Sequence, residues 1–271
     1  MLVTINRPAQ MNCIPMNGHF EGHALFEWFD GEASLAVAII TGAGTKAFCA
    51  GADLAQQQQR SSDPAQQQQQ LSPPSGFAGL SRRVGKKPVI AAVAGYALGG
   101  GTEICLNWYA RPSQVYPRYR IDNFSDMIVA DKKAIFGLPE VLRGLYAGAG
   151  GLSRLVRICG IQKASELALT GRRVSADEAR EIGLVNKVTG SIDEMKAEAM
   201  ALARQIASSS PDAIIVTRSG LRESLDCGSV EQASQRTDQR HSKALMASEN
   251  LRIGLEAFVK KQQPKWVASK L

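Results

Sequence analysis

The chain has 271 residues, 44% of them hydrophobic and 21% charged, with a formal net charge of +7 at pH 7; this is the composition of a globular protein long enough to bury a sizeable core. No stretch reaches the ~18 apolar residues of a membrane span, and Met1-Leu2-Val3-Thr4-Ile5-Asn6-Arg7-Pro8 has neither the charged nor the long apolar region of a signal peptide. The basic balance suits an anionic partner, whether nucleic acid, membrane surface or phosphorylated cofactor, but no RNA-binding aromatic motif or zinc-finger spacing singles out nucleic acid.

In chain order, residues 2–5 read as a strand entered at once, and Phe20, Ala24, Leu25, Trp28 and Phe29 recur at helical spacing. A second strand is expected at 36–40, before the turn Thr41-Gly42-Ala43-Gly44. Residues 55–74, with glutamines at 56–59 and 66–70, have too little apolar content to pack and read as a flexible surface loop. Further strands are expected at 89–93 and 127–130, and helices at 152–158, 164–169, 176–182 and 192–207. Strands with interleaved helices and a helical tail argue for an α/β fold, with a core over residues 1–190 and a helical region over 191–271. Cys13, Cys49, Cys105, Cys159 and Cys227 are scattered and never in CxxC spacing. They read as mostly core residues of a reducing compartment rather than disulfides or metal ligands; His19, His23 and His241 are assigned to helix surfaces.

Three segments can do chemistry. Lys46-Ala47-Phe48-Cys49-Ala50-Gly51-Ala52-Asp53-Leu54 follows a strand, and its small residues let a ligand reach the backbone N–H groups; a plain strand-to-helix turn is the bland alternative. Ala94-Gly95-Tyr96-Ala97-Leu98-Gly99-Gly100-Gly101-Thr102-Glu103 opens a helix with three glycines, where exposed N–H groups favour negative charge. Its spacing is not GxGxxG and no GKS or GKT follows, which excludes the dinucleotide and P-loop readings. Glu103 in the first helical turn is also what the helix dipole alone would favour. Third, Phe136-Gly137-Leu138-Pro139-Glu140 places a second carboxylate on a rigid turn, where a lone glutamate would be an exposed turn residue.

Together these segments resemble the crotonase (enoyl-CoA hydratase/isomerase) superfamily. The resemblance runs from Thr4-Ile5-Asn6-Arg7-Pro8 through the three segments above. It continues through Gly148-Ala149-Gly150-Gly151, Leu169-Thr170-Gly171-Arg172, Ile182-Gly183-Leu184-Val185-Asn186 and Pro264-Lys265-Trp266, and so covers nearly the whole chain. It implies a spiral of ββα turns with a C-terminal helical trimerisation region, in a homotrimer or homohexamer. An oxyanion hole is implied at the backbone N–H groups of Ala52 and Gly100, gripping the thioester oxygen as enolate charge develops. Coenzyme A contacts are implied at Ala50, Gly51, Ala52, Asp53, Leu54 and Gly100, with Phe258 and Lys261 reaching the coenzyme A of a neighbouring subunit. Of the two carboxylates, Glu103 would activate water for attack at C3 and Glu140 would exchange the C2 proton. The coenzyme A thioester is the substrate, and neither cofactor nor metal is implied.

The sequence leaves alternatives open: a Δ3,Δ2-enoyl-CoA isomerase using Glu140 alone, a carnitinyl-CoA dehydratase, an enzyme of toxin or other secondary-metabolite acyl pathways, and an inactive scaffold or nucleic-acid binder. Members of the family usually carry a further strand ahead of the one that opens this chain. They also space the two glutamates more closely than the 37 positions found here. Removing the 17 residues 108–124, which hold three tyrosines, two prolines and three arginines without periodicity, leaves the family spacing of 20. The codons of Trp108-Tyr109 and Phe124-Ser125 permit GT and AG ends, so this insertion reads as a retained intron of 51 nucleotides, or else as a genuine surface loop. The terminal Ser269-Lys270-Leu271 is the peroxisomal address, which adds an import receptor to the expected partners and suggests a fungal peroxisomal enzyme of fatty-acyl metabolism.

Overall fold

In the computed structural model, residues 1–61, 72–83, 85–106 and 126–271 are described. Apolar β-branched runs build a five-stranded parallel sheet from β1 (Leu2–Ile5), β2 (Ala38–Gly42), β4 (Val89–Val93), β6 (Met127–Asp131) and β9 (Lys187–Thr189), in the order β1-β2-β4-β6-β9. A second sheet has the order β3-β5-β7-β8, made of three-residue strands β3 (Ala47–Cys49), β5 (Tyr96–Leu98), β7 (Ile135–Gly137) and β8 (Arg173–Ser175). The chain steps from the large sheet to the small one and then into a helix. It does so three times: β2 to β3 to α2 (Leu54–Ser61), β4 to β5 to α3 (Gly100–Leu106), and β6 to β7 to a 3-10 turn (Pro139–Arg143) and α4 (Gly151–Thr170). This is the ββα spiral.

Every residue of β4 is buried, as expected for a central parallel strand covered on both faces. The period of two divides them. Val89, Ala91 and Val93 face the main core with Phe26, Phe29, Phe48 and Phe136, while Ile90 and Ala92 meet Met195, Ala199 and Ala203. Those last three recur every fourth residue along α6 (Ile192–Ala207), so one helical stripe closes the outer face of the sheet. Between α4 and α6 lies α5 (Ala176–Glu181), and the chain ends in α7 (Pro211–Asp226), α8 (Val230–Met246) and α9 (Glu249–Val259).

Several sequence expectations need correction. The first helix, α1 (Met16–Gly31), buries His19, Phe26 and Phe29, whereas Phe20 and Trp28 are exposed. Its buried face is shifted because the 3-10 turn Phe77–Gly79 lies on Gly22, where a Cβ would come within 2.2 Å of the Ala78 carbonyl oxygen. Residues 55–61, expected within a flexible loop, are helical in α2; glutamine is a good helix former in the absence of a competing fold. Residues 62–71 lie outside the described residues, as does the whole of the 108–124 insertion. The two helices expected at 152–158 and 164–169 form one run broken at Gly160, which takes φ 77°. Only Cys49 and Cys105 are buried; Cys13, Cys159 and Cys227 are half-buried. Among the described residues, no helix is long and apolar enough to cross a membrane.

Candidate active site

The small sheet assembles the site. β3, β5 and β7 are neighbouring parallel strands, with Cys49 opposite Ala97 and Leu98 opposite Gly137, so the segments that follow them leave from one edge. After β3 come Gly51 and Ala52, after β5 come Gly99 and Gly100, and after β7 comes Glu140. A Cβ on Gly51 would lie 3.1 Å from the Leu98 carbonyl oxygen and 3.4 Å from the Gly100 nitrogen. The two loops expected to supply the oxyanion donors therefore touch. Gly100 and Gly101 begin α3, so the first peptide N–H groups of that helix point out of its amino end. Thr102 clamps this start to β7: its hydroxyl sits 2.6 Å from the Ala97 oxygen and 2.9 Å from the Gly137 oxygen, and it accepts the Gly137 N–H at 3.1 Å.

Glu103 is 4% exposed. Its carboxylate accepts the Gly151 N–H at 2.8 Å, at the amino end of α4, where a helix favours an anion. Burial pushes its pKa up, and the Gly151 and Ala149 amides, Arg154 and Arg82 oppose that rise. At Glu140, only its own backbone amide opposes the rise that burial causes. A Cβ on Gly99 would lie 3.0 Å from its Oε1, which places this carboxyl beside the Gly99–Gly100 peptide. Its Oε2 is buried without a hydrogen-bond partner among the described residues. Burial, with the nearby Glu103 charge adding to it, pushes the Glu140 pKa up to about 7. The two carboxyls thus sit in unlike surroundings, one held by donors and the other with a buried oxygen unpartnered among the described residues, an arrangement suited to paired acid and base roles.

That shift also bears on stability. The folded protein binds the Glu140 proton more tightly than the unfolded chain does, with its ordinary value of 4.5. Stability therefore declines as pH rises from about 4.5 through about 7. Glu140→Gln cannot ionise, so above about pH 8 the variant is expected to be more stable by about 1–2 kcal/mol, solvent screening of this half-buried group included. Below about pH 4 the two proteins should coincide. Urea unfolding across this range checks the sign, and an unchanged difference from acid to alkaline pH would contradict it.

His19 is a site neighbour that the sequence reading placed on a surface. It is buried, and burial pushes its pKa down to about 4, so it is neutral. Its Nδ1 accepts the Ala78 N–H at 3.0 Å and its ring lies 4.7 Å from that of Phe77. Phe77 in turn packs on Gly100, where a Cβ would come within 2.5 Å of the ring. Spacing could have exposed this face, since positions 19, 22, 26 and 29 form a helical stripe. A histidine and a glycine within it hid the pattern. His23 bonds Ser75 and His241 bonds Ser219, at 3.0 and 2.9 Å.

The remaining expected site residues are spread more widely. Asp53 accepts from Arg7 at 3.1 Å and its N–H donates to the Ile14 oxygen, which ties its loop to the start of the chain. The Ala50 N–H donates to the Met11 oxygen, and Leu54 is exposed. Phe258 is 84% exposed at the end of α9, and Lys261 follows it with φ 52°; among the described residues, no hydrogen bond or ion pair joins either to the two loops. The terminal tripeptide lies on the fold: Ser269 bonds Asp212, the Leu271 oxygen accepts from Lys86 at 2.6 Å, and Lys270 lies 3.6 Å from Glu249.

A family model described as Enoyl-CoA hydratase/isomerase matches residues 1–108 and 120–269. The chain belongs to the enoyl-CoA hydratase/isomerase family. It is 44% identical to the mevalonyl-coenzyme A hydratase of Aspergillus fumigatus, over all of this chain and 92% of that protein. The mevalonyl-coenzyme A hydratase of Beauveria bassiana is equally similar, 44% with the same coverage. Among solved structures, enoyl-CoA hydratase EchA1 from Mycobacterium marinum superposes with a TM-score of 0.83 at 34% identity, covering 99% of this chain and 95% of that one. As a family member the chain is an enzyme of the lyase class, a crotonase-fold hydratase. The family match passes over residues 109–119, within the expected insertion.

Proposed function

We propose that this hydratase removes water across C2–C3 of mevalonyl-coenzyme A and adds it back to the 2-enoyl thioester so formed, with Glu103 and Glu140 as its base and acid. The substrate follows from 44% identity along the whole chain to two enzymes of that name. For the chemistry, the carrying observation is the pair of glutamates of unlike environment at the rim of two touching backbone loops. In the hydration direction, Glu103 takes a proton from water as its oxygen bonds to C3. The C2–C3 electron pair moves to the thioester oxygen, which the Ala52 and Gly100 amides would stabilise, and Glu140 delivers its proton to C2. Dehydration runs these steps backward. Preorganised amide donors of this kind are worth about 3–4 kcal/mol of barrier each.

The test is purified protein with mevalonyl-coenzyme A, a straight-chain 2-enoyl thioester and a 3-enoyl thioester, followed by absorbance of the conjugated thioester. Preference for mevalonyl-coenzyme A is expected. Turnover of the 3-enoyl thioester alone would instead identify an isomerase.

The same reading includes a trimer or hexamer, which would cover the exposed apolar side chains Leu142, Leu145, Tyr146 and Phe258. Light scattering at a monomer mass would exclude it. The Ser269-Lys270-Leu271 terminus supports import into peroxisomes. A tagged chain should become cytosolic when these three residues are deleted, and a distribution unaltered by the deletion refutes this. Residues 108–124 are read as a retained intron; a messenger carrying these codons with no shorter spliced form excludes that origin.

A further inference from the structure

Arg154, in the first turn of α4, is 3% exposed. A buried guanidinium normally sits against a carboxylate. Here its bonds go to carbonyl oxygens: Nη1 donates to Ala149 at 3.0 Å and Nη2 to Ser81 at 2.7 Å, while Nε has no partner among the described residues. The loop before α4 wraps around it, since a Cβ on Gly150 would lie 2.7 Å from its Cζ. The two residues flanking Gly150, Ala149 and Gly151, are those whose amides hold the Glu103 carboxylate.

We propose that Arg154 is the positioning residue that makes Glu103, rather than Glu140, the proton acceptor of the pair. It does so by fastening the 149–151 loop and by supplying a buried positive charge to that carboxylate. The proposal rests on reading Glu103 as the water-activating base. Glu103 faces Arg154 from α4, Arg82 from the segment after the 3-10 turn Phe77–Gly79, and Glu140 from the turn after β7. Arg82 is exposed and reaches the Gly148 oxygen only at 3.5 Å, so water screens its charge more than that of Arg154. Glu140 repels. The attraction is mutual, because the Glu103 charge opposes the burial that pushes Arg154 down to about 9.

The experiment is the pH profile of kcat/KM for the parent, Arg154→Met and Arg154→Lys, beside carbon-13 NMR titration of the glutamate carboxyls. Loss of the positive charge destabilises the Glu103 anion. Arg154→Met is therefore expected to move the acid limb up by about one unit or more and to lower the rate at pH 7 by about 10-fold or more. The alkaline limb, set by Glu140, should stay in place. Arg154→Lys keeps the charge but not the two carbonyl bonds, so its acid limb should move less than that of Arg154→Met while kcat falls. An acid limb unmoved in Arg154→Met overturns the proposal. If that variant does not fold, Arg154→Lys decides, and the parental kcat in it overturns the proposal. Absence of hydration by the parent protein would refute the functional reading instead; the Glu103 carboxyl titration in parent and variants then still tests Arg154.

Discussion

Exchange of Glu140 for Gln should remove hydration and isomerisation together, each by about 10²–10⁴-fold. Both reactions move a proton at C2, and the Glu140 carboxyl lies beside the Gly99–Gly100 peptide with one oxygen unpartnered among the described residues. With its pKa pushed up to about 7, it can both hold and release a proton near neutrality. Glutamine keeps the shape and loses that capacity. Glu103→Gln should reduce hydration by a similar factor and isomerisation far less, because only hydration needs an activated water. Rates on 2-enoyl and 3-enoyl thioesters check this, and equal losses by both variants in both assays would refute the assignment.

The second large effect is structural. Gly101→Ala is expected to cost about 2–4 kcal/mol of stability and to lower the hydration rate by about 10²-fold or more. A Cβ at Gly101 would sit 1.9 Å from the Cys49 carbonyl oxygen. This is backbone, held by the pairing of β3 with β5 and fully buried, so α3 must move instead, carrying the Gly100 N–H and Glu103 with it. Gly31→Ala is the control. Its added methyl meets nothing within 4 Å, and it should leave melting and rate close to those of the parent. Thermal melting and initial rates decide between them; a Gly101→Ala protein matching the control would sink the argument.

Glu103 and Glu140 stand 37 positions apart in the chain, and the site proposed for them is read from the order of the motifs rather than from local periodicity. The long regular elements were legible for a different reason. β4 is a fully apolar run and α6 carries a clean stripe of Met195, Ala199 and Ala203, so burial alone dictates their period. The strands β3, β5 and β7 have three residues each, too few for any period to show, and these are the elements that bring the two glycine-bearing loops and Glu140 to one edge.

Sequence by itself determined the α/β class, the two glycine-bearing loops, the two glutamates and the family, because each depends on residue type at a fixed place along the chain. Tertiary structure decided what surrounds them. It set Glu103 against the amides before α4, with the buried Arg154 charge opposing the rise that burial causes, while among the described residues no such cation opposes the rise at Glu140. It turned His19 inward, since Gly22 admits the Phe77–Gly79 turn against α1. It also laid Ser269 on Asp212 and Leu271 on Lys86. Pairs such as these, 57 and 185 positions apart, meet only when the whole chain packs, and no local pattern of residues encodes their contact.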